Sequence, residues 1–362
     1  MSAPSPLHDM HTQLGASFTD FAGWSMPVRY SSELAEHKAV RETAGIFDLS
    51  HMAEIEVTGP QAGEMLSYAF VGNFTNLAVG RARYSMLCDA DGGVLDDLVT
   101  YRLDDERYLV VANAANAAVV AAALADRSEP FDADVHDCSA DYALIAVQGP
   151  HARAILGGVT DAELDTLKYY GIEPATVSGY DVLLARTGYT GEDGFELYCP
   201  PGQAMGLWQA LTEAGKEHDL LPAGLACRDT LRLEAGMPLY GNELSLGTSP
   251  FEANLGRLVK FDKPGDFVGR SALAKRAENP ADHVLVGLRG EGRRAPRHGY
   301  RVLDGDTDVG EITSGALSPT LGYPIAIAYV AKAVSEPGTA LSVDVRGRGQ
   351  PVEVVALPFY KR

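Results

Sequence analysis

Apolar residues along this chain follow two textures that change near residue 280. Before that point, short runs with a strand period of two are mixed with stretches of helical period. Residues 53–58 and 98–103 alternate apolar and polar side chains, and 108–112 is a continuous apolar run of the buried-strand type. Further strands are expected at 141–147, closed by Gln148-Gly149-Pro150, and at 180–185 and 195–198. Helices are expected at 33–43, 61–66, 203–216 and 227–235. Leu207, Trp208 and Leu211 share one face of the third. In the fourth, Gly236 stands where a left-handed C-terminal cap belongs, and Pro238 prevents continuation. After residue 283, strands at 284–288, 299–303, 309–314, 325–330, 341–345 and 352–357 predict a small all-β barrel or roll. The stretch from Lys263-Pro264-Gly265 to Pro280 reads as the linker between the textures.

At 362 residues the chain is too long for one compact core, so two or three domains are expected. Its most apolar run, 109–125, is mainly alanine and includes Asn113 and Asn116. That is too short and too weakly apolar for a membrane span of about 20 residues, and it reads as a strand running into an alanine-rich helix. The formal net charge of −19 weighs against nucleic acid or an anionic membrane as partner, since both require a basic surface. An anionic ligand must therefore be met by local arginines. Cys88, Cys138, Cys199 and Cys227 lie far apart with no Cys-x-x-Cys pair, which disfavours a zinc knuckle or a redox dithiol and fits a reducing cytoplasm. The first residues, Met-Ser-Ala-Pro-Ser-Pro, lack the basic-then-apolar order of a secretory signal.

Residues 186–196, Arg-Thr-Gly-Tyr-Thr-Gly-Glu-Asp-Gly-Phe-Glu, carry more polar chemistry than a turn requires. Gly188, Gly191 and Gly194 permit positive φ or the close approach of a flat ligand. With Glu192, Asp193 and Glu196 in the same run, it reads as a surface for a ligand rich in hydrogen-bond donors. Residues 89–97, Asp-Ala-Asp-Gly-Gly-Val-Leu-Asp-Asp, fail as a calcium loop: the glycine is misplaced and the twelfth position is Thr100 instead of glutamate. They read as a hairpin turn joining 83–87 to 98–100. Asp96 and Asp97 then stand at a strand start, where carboxylates are disfavoured, and alternation turns one of them inward. An inward carboxylate is a candidate acid, base or cation stabiliser.

Arg228 and Arg232 share a helix face, with Asp229 and Glu234 within reach. They are either exposed ion pairs or, given Leu231 and Leu233, guanidinium groups with defined partners on a buried helix. His51, in Ser50-His51-Met52, has no nucleophile elbow or acidic partner at suggestive spacing and reads as a hydrogen-bonded structural histidine. The absence of Gly-x-Gly-x-x-Gly, Walker and His-Glu-x-x-His motifs disfavours a dinucleotide, a nucleoside triphosphate or zinc, and no metal is expected.

Several long motifs, in order, resemble the glycine cleavage system T-protein family of aminomethyltransferases. They are Asp20 to Pro27 (Asp-Phe-Ala-Gly-Trp-Ser-Met-Pro), Glu36 to Arg41 (Glu-His-Lys-Ala-Val-Arg) and Phe47 to Met52 (Phe-Asp-Leu-Ser-His-Met). Gly92 to Asp97, the 186–196 run, Arg228 to Gly236 and Leu239-Tyr240-Gly241 continue the match. Thr313-Ser314-Gly315, Ser318 to Leu321 and Pro358-Phe359 complete it across essentially the whole chain. Cys227, where a small residue is usual, and Ala316, where threonine is frequent, are mild departures.

The resemblance implies an α+β fold of three domains in a cloverleaf around a folate pocket. Two are interleaved α+β domains with antiparallel sheets, roughly 1–52 with 140–230 and 53–139 with 231–265, together forming a folate-binding region over 1–265. The third is the C-terminal β-barrel or jelly roll, 280–362. The implied reaction moves the one-carbon unit of an aminomethyl group, carried on the lipoyl arm of H-protein, to tetrahydrofolate. Its products are 5,10-methylenetetrahydrofolate, ammonia and dihydrolipoyl H-protein. The family's acid falls on Asp96, its pterin-recognising carboxylate on Glu196 and a folate-contacting arginine on Arg228. Tyr84, Asn113, Tyr240 and Arg362 fall on further pocket positions. A folate-dependent demethylase, or a non-catalytic folate-binding protein, are the alternatives on the same scaffold.

Overall fold

The computed structural model describes residues 2–362, which contacts divide into two compact units. The first takes the chain up to Ala69, Asn73–Ser85 and Leu98–Arg228, and the second takes Phe70–Gly72, Met86–Asp97 and Asp229–Arg362. The chain passes between them at both ends of Phe70–Gly72, within the hairpin strands Arg81–Cys88 and Val94–Asp104, and within the helix Leu225–Glu234.

The first unit holds a six-stranded sheet in the order Ile172–Val177, Tyr180–Ala185, Gly194–Cys199, Ala143–Gln148, Ala44–Asp48, Leu220–Pro222. Neighbours are antiparallel except the last pair, which is parallel. One face is covered by the helices Ala152–Gly157 and Pro201–Gly215, with Leu207, Trp208 and Leu211 packed against Ile145, Val147, Leu184 and Leu197. Each buried side chain of this size contributes about 1.5–3 kcal/mol. A second, five-stranded sheet runs Arg81–Cys88, Val94–Asp104, Arg107–Ala112, Ala53–Thr58, Asp134–Asp137. The alanine-rich run becomes the strand Arg107–Ala112 and the helix Ala117–Ser128, as its composition predicts.

Buried carboxylates fix the N-terminal segment to the first sheet. Asp48 accepts bonds from Ser5 Oγ (2.6 Å), His11 Nε2 (2.8 Å) and the Ser50 N–H (2.9 Å), while the Tyr30 hydroxyl meets His11 Nδ1 at 2.9 Å. Burial alone would raise the Asp48 carboxyl, but the bond and charge of His11, with the Ser5 and Ser50 bonds, hold it below its usual range. Glu36 accepts the N–H groups of Tyr30, Ser31 and Gly224 at 2.7, 2.9 and 3.0 Å.

The second unit contains the expected barrel, closed in the order His283–Gly290, Pro324–Ala331, Thr307–Leu317, Arg301–Asp304, Ala340–Asp344, Gly349–Val355. Its interior is aliphatic, built from residues such as Leu288, Ile312, Val330, Val343 and Val354. The stretch read as a linker instead contains the helix Arg270–Glu278. The glycine and proline at its ends are the visible breakers, but Ser-Ala-Leu-Ala-Lys-Arg-Ala-Glu is a good helix former, and Leu273 is buried against Val94 and Phe267. Lys263 is buried as well. Its ammonium donates to the carbonyls of Phe70 (2.5 Å) and Gly72 (2.8 Å) and lies 4.0 Å over the Phe267 ring, anchoring the segment that crosses into this unit. Gly236 has the predicted positive φ of 66°, and Met237 N–H closes back onto Arg232 O at 2.9 Å.

Candidate functional site

The three carboxylates of the 186–196 run have separate fates. Glu192 is buried against Arg41, whose Nη1 donates to Glu192 Oε1 at 2.9 Å and to Thr190 O at 2.7 Å. Asp193 takes a two-pronged bond from Arg186, Nε to Oδ1 at 2.9 Å and Nη2 to Oδ2 at 2.7 Å. Glu196, on the strand Gly194–Cys199, has no arginine bonded to it. Its Oε2 accepts a short bond from Thr187 Oγ1 and a longer one, 3.4 Å, from the Tyr101 hydroxyl. Its Oε1 accepts no bond from the described residues. The supporting hydroxyls are themselves linked, Tyr101 to Thr187 at 2.9 Å and Tyr198 to Tyr101 at 3.3 Å.

Burial raises the Glu196 carboxyl above its ordinary range, and the Thr187 bond, the Arg228 charge and the Tyr101 bond pull it back. Arg228 is half-buried, with its guanidinium 4.9 Å over the Tyr189 ring. Glu196 also lies within electrostatic reach of Tyr169 and Tyr170, and Tyr170 has a positive φ of 63°, unusual for a bulky residue. Two of the three glycines serve the fold. A Cβ on Gly188 would lie 2.0 Å from Gln148 Oε1, and one on Gly194 2.4 Å from Gln148 Nε2, while Gly191 has φ of 80°. Gln148 uses that room to bond Thr187 O (3.0 Å) and Thr190 Oγ1 (2.9 Å).

Tyr84 and Asn113 are half-buried in the same unit, Tyr84 on the first hairpin strand and Asn113 just after the strand Arg107–Ala112. Asp96, Tyr240 and Arg362 belong to the second unit. The 89–93 turn is closed by Asp89 Oδ1, which accepts the N–H groups of Asp91 (3.0 Å) and Gly93 (2.8 Å), with Gly92 at φ of 81°. The following strand begins at Val94, so both aspartates lie within it. Asp96 is wholly buried and Asp97 half-exposed, as alternation requires. Val94 N–H donates to Ser245 O (3.2 Å) and Thr248 O (3.1 Å), which stitches this arm to the 245–248 loop. Burial, then the charges of Asp96 and Asp97, raise the Tyr240 hydroxyl, which places that hydroxyl near both carboxylates. Arg362 is exposed.

Sequence reasoning passed over Tyr101, Tyr198 and Glu54. Tyr101 and Glu54 lie in strands whose alternation signals only a core face, and no local pattern tells a hydroxyl that bonds Glu196, or a carboxyl within its electrostatic reach, from one that packs. Glu54 is 1% exposed, its Oε1 has no partner, and burial, then Asp137 and Glu196, push its carboxyl well above the ordinary range. A raised folded value means that stability is fully present below about pH 4.5 and declines as pH rises toward the folded value. Glu54→Gln is therefore expected to raise Tm more at pH 8 than at pH 5; an equal shift at both pH values would contradict a protonated Glu54. His51 also departs from expectation: it is 4% exposed, but no described residue hydrogen-bonds its ring, and its Nδ1 is buried without a partner.

Among the described residues there is no group of three or more His, Cys, Asp or Glu side chains placed to hold a metal ion. No described helix is long and apolar enough to cross a membrane.

The family model described as the GCVT N-terminal domain matches residues 7–263, and that of the glycine cleavage T-protein C-terminal barrel domain matches 283–361. The chain belongs to the glycine cleavage T-protein family. Within it, the aminomethyltransferase of Saccharopolyspora erythraea is 63% identical over 100% of both chains. The aminomethyltransferase of Streptomyces coelicolor is 62% identical over 98% of this chain and 97% of its own. The crystal structure of glycine cleavage system aminomethyltransferase T from Bartonella henselae superposes with a TM-score of 0.93 at 36% identity, covering 100% of this chain and 99% of that one. The T-protein fold thus extends over the full chain, barrel included.

Proposed function

We propose that this chain is the aminomethyltransferase of a glycine cleavage system, moving the one-carbon unit of an H-protein-bound aminomethyl group to tetrahydrofolate. Relatives bearing the aminomethyltransferase name along their whole length support the activity. The observation that carries the ligand assignment is the state of Glu196. Glu192 and Asp193 are each paired with an arginine, whereas Glu196 keeps an oxygen without a hydrogen bond from the described residues, beside an arginine poised on an aromatic face. A pterin edge presents adjacent N–H donors, which a carboxylate accepts in a forked pair. In this reading Arg228 adds positive potential beside the ring, and Tyr84, Asn113, Tyr240 and Arg362 complete the folate contacts.

Asp96 takes the chemical role. Opening the C–S bond of the aminomethyl-lipoyl group gives an iminium-like cation, which a buried carboxylate stabilises. The same carboxylate takes the proton released when the folate nitrogen attacks. The products are 5,10-methylenetetrahydrofolate, ammonia and dihydrolipoyl H-protein. Glu196→Gln is expected to weaken tetrahydrofolate binding by about 1.5–3 kcal/mol, the scale of a hydrogen bond to a charged group. Calorimetry reads this directly, and equal affinity would remove Glu196 from the folate site.

A further inference from the structure

The histidine that sequence spacing leaves as a hydrogen-bonded structural residue has no hydrogen-bond partner among the described residues. His51 sits in the turn before the strand Ala53–Thr58, its ring edge-on to Phe21 with centroids 5.3 Å apart. It is 4% exposed, Nδ1 is fully enclosed, and neither ring nitrogen is hydrogen-bonded by a described residue. Leaving a polar group of a buried side chain unsatisfied costs about 1–3 kcal/mol, and Nε2, which unlike Nδ1 is not fully enclosed, is the ring nitrogen that a group from outside the chain can complete. Burial and then the Arg228 charge drive the ring down to about 4, against the opposing pull of Asp48, so at neutral pH it is uncharged. A neutral imidazole offers one donor and one acceptor.

Arg228 links this ring to the site, because its charge acts on both His51 and Glu196. The sheet sets them close as well: Ala146 pairs with both Glu196 and Phe47, and Leu49 N–H bonds Leu144 O at 2.8 Å, so a ligand held by Glu196 and Arg228 lies in the same part of the first unit as His51. A second cation beside Arg228 would select an anion such as a carboxylate or phosphate. A neutral donor–acceptor instead suits a heterocycle whose edge mixes N–H, ring nitrogen and carbonyl groups. We infer that His51 is a ligand-facing residue of this site, and that its imidazole hydrogen-bonds the pterin ring of the bound folate on the Arg228 side. This rests on the folate reading proposed above. It adds a specificity residue for the neutral ring, distinct from the carboxylate that reads the ring's N–H edge.

Imidazole 15N NMR of the full chain tests it, with 5-formyltetrahydrofolate as the probe and the His51 signals assigned by their loss in His51→Gln. Addition of the probe is expected to shift a His51 ring nitrogen. By calorimetry, His51→Phe is expected to bind the probe about 3- to 10-fold more weakly, the scale of one neutral hydrogen bond. His51→Gln, which keeps a donor and an acceptor, should recover part of the loss. Wild-type binding that leaves the His51 signals unmoved would overturn the inference even if a variant failed to fold. So would equal affinity of a folded His51→Phe. Failure of the wild type to bind the probe would instead overturn the folate reading, and this inference with it.

Discussion

Asp96→Asn lowers turnover by about 10²-fold or more and leaves tetrahydrofolate affinity near that of the wild type, if the carboxylate performs the chemistry. The substitution preserves shape but removes both the negative charge and the proton acceptor. The strand geometry gives it a clean readout. Asp96 is wholly buried on an arm pinned at Val94 by Ser245 and Thr248, so a side chain of equal size should sit in the same place. Loss of a cation stabiliser and loss of a base act on the same transition state, so the expected reduction lies within the general acid–base range and is not the product of two effects. Turnover with aminomethyl-loaded H-protein, measured beside calorimetric folate affinity, separates chemistry from binding. An unchanged rate would remove Asp96 from the reaction.

Arg232→Met carries the largest expected cost in stability. Arg232 is 1% exposed and donates from Nη1 to Glu243 Oε2 at 2.9 Å, from Nη2 to Ser314 Oγ at 2.7 Å and from Nε to Asp229 Oδ1 at 2.8 Å. It thereby ties the helix Leu225–Glu234 to the barrel strand Thr307–Leu317 within the second unit. Glu243 is fully buried, its Oε1 has no partner among the described residues and its Oε2 would keep only the Leu239 N–H (2.9 Å), so removing the guanidinium leaves a buried charge without its countercharge. Breaking such a pair costs about 3–5 kcal/mol. Urea denaturation should show that loss, and adding Glu243→Gln should recover a substantial part of it. A loss below about 1 kcal/mol, the range of exposed pairs, would contradict the buried-pair account.

The sequence pattern carried the elements whose signal is local. The barrel strands, the Asp-Gly-Gly turn and the Gly236 cap emerge where period and turn residues place them. Alternation required one aspartate of the pair to turn inward without saying which, Asp96 being singled out only by the family resemblance, and Leu231 and Leu233 pointed to a buried Arg232. What local pattern could not supply was the partner of each polar group. Glu192, Asp193 and Glu196 are equivalent in the sequence, and only Arg41, far along the chain, and Arg186 separate the first two from the third. Gly188 and Gly194 look like room for a ligand until Gln148, from the neighbouring strand, is found filling it. His51 reads as structural for want of an acidic neighbour, although its lack of a hydrogen-bond partner among the described residues is visible only in three dimensions. The helix Arg270–Glu278 was hidden by the breakers at its ends.

The most direct test is formation of 5,10-methylenetetrahydrofolate by the full-length chain, with aminomethyl-loaded H-protein, sarcosine and a sulfonium compound each offered as the one-carbon donor. Product, with stoichiometric ammonia release, is expected from loaded H-protein alone. Turnover with sarcosine or the sulfonium donor, and none with loaded H-protein, would contradict the assignment and place the chain among folate-dependent demethylases.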